Sequence, residues 1–481
     1  MGTEFLAWLG RGGDLPMLLL LVGTGAYCSV KLRGFPLLWP RRALGALRHA
    51  AQSAGGVSPR EALCTALAGT VGTGNIVGVA GAIALGGPGA VFWMWCAALL
   101  GTATKYAEIV LTLETRVRLP DGTVRGGPMI AMRRLGRFGK WLAALFGSGA
   151  ILASFGIGNA VQMHTLSSLL RRGTISDVLL GGTVALLVSI LGRDPGRVGR
   201  TAARLVPWMG ALYLGLASVV VVRYFEYLPR VLWEIVRAAL CPRAVLGGSV
   251  GVLTAFRCGA ARGVFSNEAG LGSAPLAHAS VETDSPVRQG VIGSLEVLLV
   301  TAVCTVTALV LLLPAAAMAY EIPYGTSCGA ELVIAALGTV LPAAVAKWLL
   351  GAVLACFAVS SVLSWRLYGE RCAAALLGDR AVRWYRLLFG AALLCSARLP
   401  AEPVWTASEL LNAWMATPNL LSLLLLLPTV TRATRSFFRK AVETDAGLCY
   451  NAGDSHEGDG HETCDKARRV RQRTRRTDRA E

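Results

Sequence analysis

The residues best suited to chemistry in this chain are small and polar, and they sit inside apolar segments. The run Ala66-Leu67-Ala68-Gly69-Thr70-Val71-Gly72-Thr73-Gly74-Asn75-Ile76-Val77-Gly78-Val79-Ala80 is interrupted by glycines, threonines and an asparagine. A second interruption reads Phe265-Ser266-Asn267-Glu268-Ala269-Gly270-Leu271-Gly272-Ser273-Ala274-Pro275. Both compositions favour an unwound turn, which frees backbone N–H and C=O groups. Half-helix N-termini favour anions, whereas C-termini and freed carbonyls favour cations. A zwitterion suits such a pair of breaks. Its carboxylate would meet amides near Gly72, Thr73, Gly74 and Asn75, and its ammonium would meet carbonyls around Phe265, Ser266 and Asn267. A bare monovalent cation needs oxygen ligands, which the carbonyls around Gly69, Thr70 and Gly72 and nearby hydroxyls would supply. Glycines in a helix also permit close packing of neighbours. Two breaks in corresponding places weigh toward a site.

Other polar residues on apolar segments each carry a structural reading beside the functional one. Gln162 is either a solute ligand or a hydrogen-bond donor to a neighbouring helix, and Ser360 and Ser361 are either ion ligands or inter-helix glue. Trp365 reads as a lid over a solute or as an interfacial anchor. Charges within spans are costly and functional by default. Glu268 falls inside the second break and is expected to pair with Arg262, or to act as a gate or proton relay. Lys105 and Glu108 are expected to pair along one helix. Glu296 opens a span and is expected near the interface, and His278 reads as a hydrogen-bonded helix-end histidine. Cys449, His456, His461 and Cys464 match no standard zinc spacing, so no metal site is expected. No nucleophile–base pair appears in the spans, which argues against an enzyme.

A membrane is what positions these groups. Of 481 residues, 54% are hydrophobic and only 16% charged, with mean hydropathy +0.54, well to the apolar side of soluble domains. Apolar run length predicts an all-α polytopic membrane protein with about eleven spans. They lie near 14–33, 61–84, 88–113, 141–169, 174–192, 203–224, 247–279, 289–314, 343–366, 383–398 and 403–431. The run Leu15 to Val30 follows Asp14 without a basic flank, so no cleavable signal is expected. The net charge of +18 gathers in alternate loops and in the C-terminal tail, as topology determinants do, which argues against nucleic acid. Assigning the basic loops to the cytoplasm leaves the N-terminus outside and the C-terminus inside. Arg223, Arg230, Arg237 and Arg243 break that pattern and suggest an amphipathic surface helix. Cys28, Cys64, Cys96, Cys304, Cys356 and Cys395 lie in apolar runs as small hydrophobes, and no disulfide framework is expected.

With that topology each broken segment opens a group of five spans, in opposite orientations, which is an inverted repeat. The chain then divides into an N-terminal span and cytoplasmic loop at 1–60, a first repeat at 61–228, a second at 229–431 and a basic, disordered tail at 432–481.

Three sets of residues resemble the alanine or glycine:cation symporter family (the sodium:alanine symporters). They are Gly72-Thr73-Gly74-Asn75-Ile76; Ala84-Leu85-Gly86-Gly87-Pro88-Gly89-Ala90-Val91-Phe92-Trp93-Met94-Trp95 with Ala103-Thr104-Lys105-Tyr106-Ala107-Glu108; and Arg262 to Pro275 with Tyr368-Gly369-Glu370-Arg371. The resemblance implies a leucine-transporter-type 5+5 fold with one additional N-terminal span. It implies sodium-coupled uptake of alanine or glycine at the cell membrane, with no cofactor beyond the co-transported ion. It also implies substrate contacts at Thr73, Gly74, Asn75 and Gln162, aromatic pocket walls at Phe265 and Trp365, and cation ligands at Ser360 and Ser361. This chain departs from the family in having no acid at Leu298-Leu299-Val300-Thr301, before Cys304-Thr305-Val306-Thr307, and in reading Ser364-Trp365-Arg366-Leu367-Tyr368-Gly369-Glu370 where the family carries Gly-Trp-Ser-Tyr-Tyr-Gly-Glu. The expected function is symport of a small neutral amino acid with sodium. Proton coupling through Glu268 or His278, and a channel or sensor on the same fold, are the alternatives.

Overall fold

The computed structural model describes residues 2–34, 57–118, 120, 124–170, 174–192, 194–240, 251–326, 329–399 and 401–452. Residues 1–426 form one compact unit, and residues 427–481 form a second. Helices dominate, as lipid requires of any backbone that crosses it. Among the described residues the only sheet is a two-residue hairpin, β1 (Val117–Arg118) antiparallel to β2 (Val124–Arg125).

The order begins with α1 (Gly2–Lys31), α2 (Pro59–Thr70), a π turn (Gly74–Gly78), α3 (Val79–Gly86) and α4 (Gly89–Thr115). Then come α5 (Pro128–Arg133), α6 (Gly136–Phe155), a second π turn (Gly156–Ala160) and α7 (Val161–Leu170). Next are α8 (Thr174–Leu191), α9 (Pro195–Arg223), α10 (Leu228–Leu240), α11 (Val252–Asn267) and α12 (Ser273–His278). The chain ends with α13 (Pro286–Ala316), α14 (Ala330–Gly338), α15 (Ala343–Leu377), α16 (Asp379–Ser396) and α17 (Ala401–Ala452).

Among the described residues six helices are long and apolar enough to cross a membrane, and the bent pair α2–α3, taken as one span, makes a seventh. Pro16–Lys31 and Ser176–Leu191 are shorter apolar helices. The expected segment at 403–431 is longer than foreseen, because α17 continues to Ala452, past the boundary drawn at 431. His456, His461 and Cys464 lie outside the described residues.

The first break is where the sequence predicts it. Ser58 caps α2 in a reciprocal pair with Glu61, and Pro59 takes the first helical position. The helix stops at Val71, which leaves helical geometry, and α2 and α3 meet at a 54° bend. Gly72 is required there by proximity: an added Cβ would lie 2.7 Å from Ser361 Oγ and 3.2 Å from Gln162 Nε2. The second break is narrower than predicted. Phe265, Ser266 and Asn267 are still helical, and the chain turns at Glu268–Gly272, with Glu268 left-handed at φ 52° and Gly270 and Gly272 at φ +90° and +82°.

A third interruption was not expected. The segment read as one helix over 141–169 carries the π turn at Gly156–Ala160. An added Cβ at Gly156 would lie 2.8 Å from Ser408 Oγ, and one at Gly158 would run into Trp365, so both neighbours pack on bare backbone. The suspected surface helix does form. In α10, Val231, Ile235 and Ala239 are buried one turn apart, while Arg230, Trp233 and Leu240 are exposed.

Candidate functional site

The two breaks and the unforeseen π turn meet at one cavity. Its empty space is about 420 Å³ including the mouth, and Gly69, Thr70, Gly72, Gly74, Asn75, Gln162, Phe265, Ser266 and Glu268 line it. Ile157, Val161, Arg262 and Trp405 complete the wall and were not singled out as pocket residues from the sequence. A signal for one of them, Ile157, existed. Gly156-Ile157-Gly158-Asn159 repeats the Gly-x-Gly-Asn of Gly72-Thr73-Gly74-Asn75, and a π turn falls at each, over Gly156–Ala160 and Gly74–Gly78.

The polar side is held by hydrogen bonds between elements. Gln162 Oε1 accepts from the Thr73 amide at 3.3 Å and from its hydroxyl at 3.1 Å, while Gln162 Nε2 donates to Ile157 O at 3.1 Å. Asn75 Nδ2 donates back to Thr70 O at 2.6 Å, bridging the break it follows. The Asn75 carbonyl accepts from Thr307 at 3.1 Å, and Thr307 in turn meets Tyr213 OH at 2.5 Å. Break one is thus tied to α6–α7, α9 and α13 at once.

The carbonyl end of α2 faces a row of hydroxyls on α15. Ser361 Oγ donates to Ala68 O at 3.1 Å and lies 3.5 Å from Gly69 O, Ser364 donates to Thr65 O at 2.9 Å, and Tyr368 donates to the same carbonyl at 3.3 Å. Ser360 is not part of this row. It donates to Phe357 O at 2.9 Å, with Met209 Sδ at 3.4 Å, because adjacent helical residues point about 100° apart.

Two further expected residues sit elsewhere. Asn267 lines a second cavity of about 250 Å³ against α4 and α13, and its Oδ1 accepts from the Ala269 amide at 2.9 Å, closing the turn of break two. Trp365 is buried behind the pocket on Gly158 and Tyr368, with ring centroids 5.6 Å apart, so it supports the wall rather than covering the mouth.

The charged residues pair differently from the expectation. Lys105 meets Glu296 at 3.1 Å, both 0% exposed, and not Glu108. Glu296 is therefore interior rather than interfacial. Glu108 instead accepts from the Gly272 amide (3.0 Å), the Gly270 amide (3.2 Å) and Asn419 Nδ2 (2.5 Å), holding the turn before α12. Glu268 accepts from Ser273, and the Trp365 indole lies beside it. Arg262 pairs with Glu409 at 3.4 Å and stacks over Trp405 at 5.0 Å, not with Glu268. That pair is 26% and 35% exposed, so it marks the mouth of the cavity, with Glu268 at the closed end. His278 does hydrogen-bond, to Gln289 at 2.8 Å.

The sequence profile of the sodium:alanine symporter family matches residues 10–448. An uncharacterized transporter of Haemophilus influenzae is 40% identical over 433 residues, 88% of this chain and 93% of that protein. The sodium/alanine symporter AgcS of Methanococcus maripaludis is 38% identical over 433 residues, 88% of this chain and 94% of its own length. A manganese transporter of Eremococcus coleocola, solved in complex with an aromatic bis-isothiourea compound, superposes with TM-score 0.46 at 15% identity, covering 77% of each chain.

Proposed function

This chain belongs to the sodium:alanine symporter family, and we propose that it carries a small neutral amino acid, alanine or glycine, inward with sodium by alternating access. Membership makes it a multi-pass membrane transporter that couples amino-acid movement to a cation, rather than an enzyme. The finer reading rests on the cavity between the two breaks, lined on one side by freed backbone and on the other by apolar groups.

The zwitterionic head of the substrate faces Gly72, Gly74, Asn75 and Gln162 on one side and the end of α11 at Phe265 and Ser266 on the other. Helix ends supply partial charge without a desolvated counter-ion, which suits a solute that must also leave. The small side chain turns to Ile157, Val161, Phe265 and Trp405. Sodium lies at the carbonyl end of α2, where Ser361 reaches Ala68 O and Gly69 O and where Thr70 and Gly72 continue the chain. An ion there holds the carbonyls of the break, and the same break offers its amides to the substrate. Each ligand therefore favours the backbone that the other needs, a reciprocal coupling.

The inverted 5+5 repeat, with α1 outside it, the N-terminus outside the cell and the C-terminus within, completes the reading. Its support is the matched pair of breaks and the basic loops. Glu268, buried on the cavity wall, gives proton coupling a residue to act through, and that is the second reading.

The test is labelled alanine and glycine uptake into proteoliposomes with the sodium and proton gradients set independently. Accumulation should follow the inward sodium gradient. Uptake unchanged when choline replaces sodium at fixed pH refutes sodium coupling. Dependence on the proton gradient, lost in Glu268→Gln, would select the second reading.

A further inference from the structure

The outward face of α10 divides into two flanks. Val231, Ile235 and Ala239 point inward, and successive residues turn by about 100° around a helix axis. Going round from that buried stripe, Leu232, Val236, Leu240 and Trp233 come first, all apolar, and Arg237 and Arg230 follow. Trp233 is 67% exposed and Leu240 58%, so the apolar flank has no cover within the protein. Among the described residues no ion pair includes Arg230 or Arg237, and Glu234 is half-buried near Tyr324.

The helix lies along a membrane face and does not cross it. Its 13 residues reach about 20 Å, against roughly 30 Å of hydrocarbon. It begins just after α9 ends at Arg223, and its last turn seats on the start of α4, where an added Cβ on Gly89 would stand 2.7 Å from the Ala239 nitrogen. Both α9 and α4 are long and apolar enough to span, and so short a helix cannot join opposite faces. The two span ends therefore mark one face, and α10 runs between them at that level.

Water meets the arginines and leaves the apolar flank bare, whereas hydrocarbon does the reverse. Only the boundary between acyl chains and headgroups meets both, and tryptophan, which stands here where the flanks join, is enriched at that depth. We propose that α10 seats anionic phospholipids, with their phosphates on Arg230 and Arg237 and their chains along Leu232, Val236 and Leu240. The arginines are seven residues apart, about 10 Å along the axis, so each meets its own headgroup. Charge selects the lipid: two unpaired guanidinium groups hold an anionic surface more tightly than a zwitterionic one. Arg230 and Arg237 also break the alternation of basic loops, and seating lipid gives them a use apart from orienting the chain.

Photo-crosslinking of the full chain in vesicles of equal parts phosphatidylglycerol and phosphatidylcholine tests this whatever solute is carried. With p-benzoylphenylalanine in place of Trp233, mass spectrometry should find phospholipid adducts that favour phosphatidylglycerol roughly tenfold, the order expected of two arginines at an anionic surface. Trp208 stands midway along α9 and is 77% exposed, and the same probe there should label both lipids equally. Arg230→Gln combined with Arg237→Gln should reduce the preference at position 233 to that at 208. Both arginines are exposed and unpaired, so the variant should melt with the unaltered protein. Adducts at position 233 to a second copy of the chain, no adduct there, equal yields of the two lipids, or a preference untouched by the double substitution would each overturn the proposal.

Discussion

Glu108→Gln tests whether break two is held from a distance. The carboxylate accepts three donors: Oε1 takes the Gly272 amide and Asn419 Nδ2, and Oε2 takes the Gly270 amide. Glutamine has one acceptor oxygen, and its NH₂ must face a donor. The milder orientation keeps the Oε1 contacts and orphans the Gly270 amide. A buried amide left unpaired costs ~1–3 kcal/mol, so about 2 kcal/mol is expected. Gly270 and Gly272 are left-handed and have no helical hydrogen bonds to fall back on, so the cost falls on the turn itself. If substrate binding must rebuild that turn, about 2 kcal/mol becomes a roughly thirtyfold weaker affinity. The measurements are thermal melting in detergent with and without alanine and sodium, and the uptake KM. The expected outcome is a lower melting temperature, a raised KM and a smaller shift on adding both ligands at fixed concentrations. Melting and KM indistinguishable from the unaltered protein would show that Glu108 does not hold the break.

Two shorter tests separate residues that sequence alone groups together. Ser361→Ala should raise the sodium concentration for half-maximal uptake several-fold, whereas Ser360→Ala should leave it unchanged, because only Ser361 reaches the carbonyls of α2; a sodium titration of both variants decides. Gly158→Ala drives a Cβ into Trp365 and should cost ~1–3 kcal/mol by overpacking, seen as a lower melting temperature, while Gly210→Ala, with open space around it, should not.

What could be read from the sequence was local. Gly72, Thr73, Gly74 and Asn75 point to an unwound turn because so many backbone-freeing residues cluster within one apolar segment, and the structure unwinds at that place. The second break was legible in position and too wide in extent. Propensity does not say that Phe265 to Asn267 stay helical until Glu268 turns left-handed, since the turn is held by Glu108 from a helix more than a hundred residues earlier. Long-range pairing was illegible for the same reason. Lys105 and Glu108 stand at helical spacing, and the sequence alone gives no ground for choosing Glu296, Gly270 or Asn419 over that near neighbour.

The buried charges show what decides such choices. Lys105 and Glu108 lie nearly a full turn apart on α4, so a salt bridge between them was open, and both would then be bound within one helix. Instead Lys105 ties α4 to α13, and Glu108 ties α4 to the turn before α12. In water the difference would be slight, because exposed pairs contribute little. In an apolar interior every donor near a charge must be met, and the free amides of Gly270 and Gly272 have no other acceptor among the described residues. The break therefore captures Glu108, and Lys105, left without it, requires the acid on α13. The unwound turn that serves the pocket thus dictates the ion pairs around it, and those pairs fix where α4, α11 and α13 can sit.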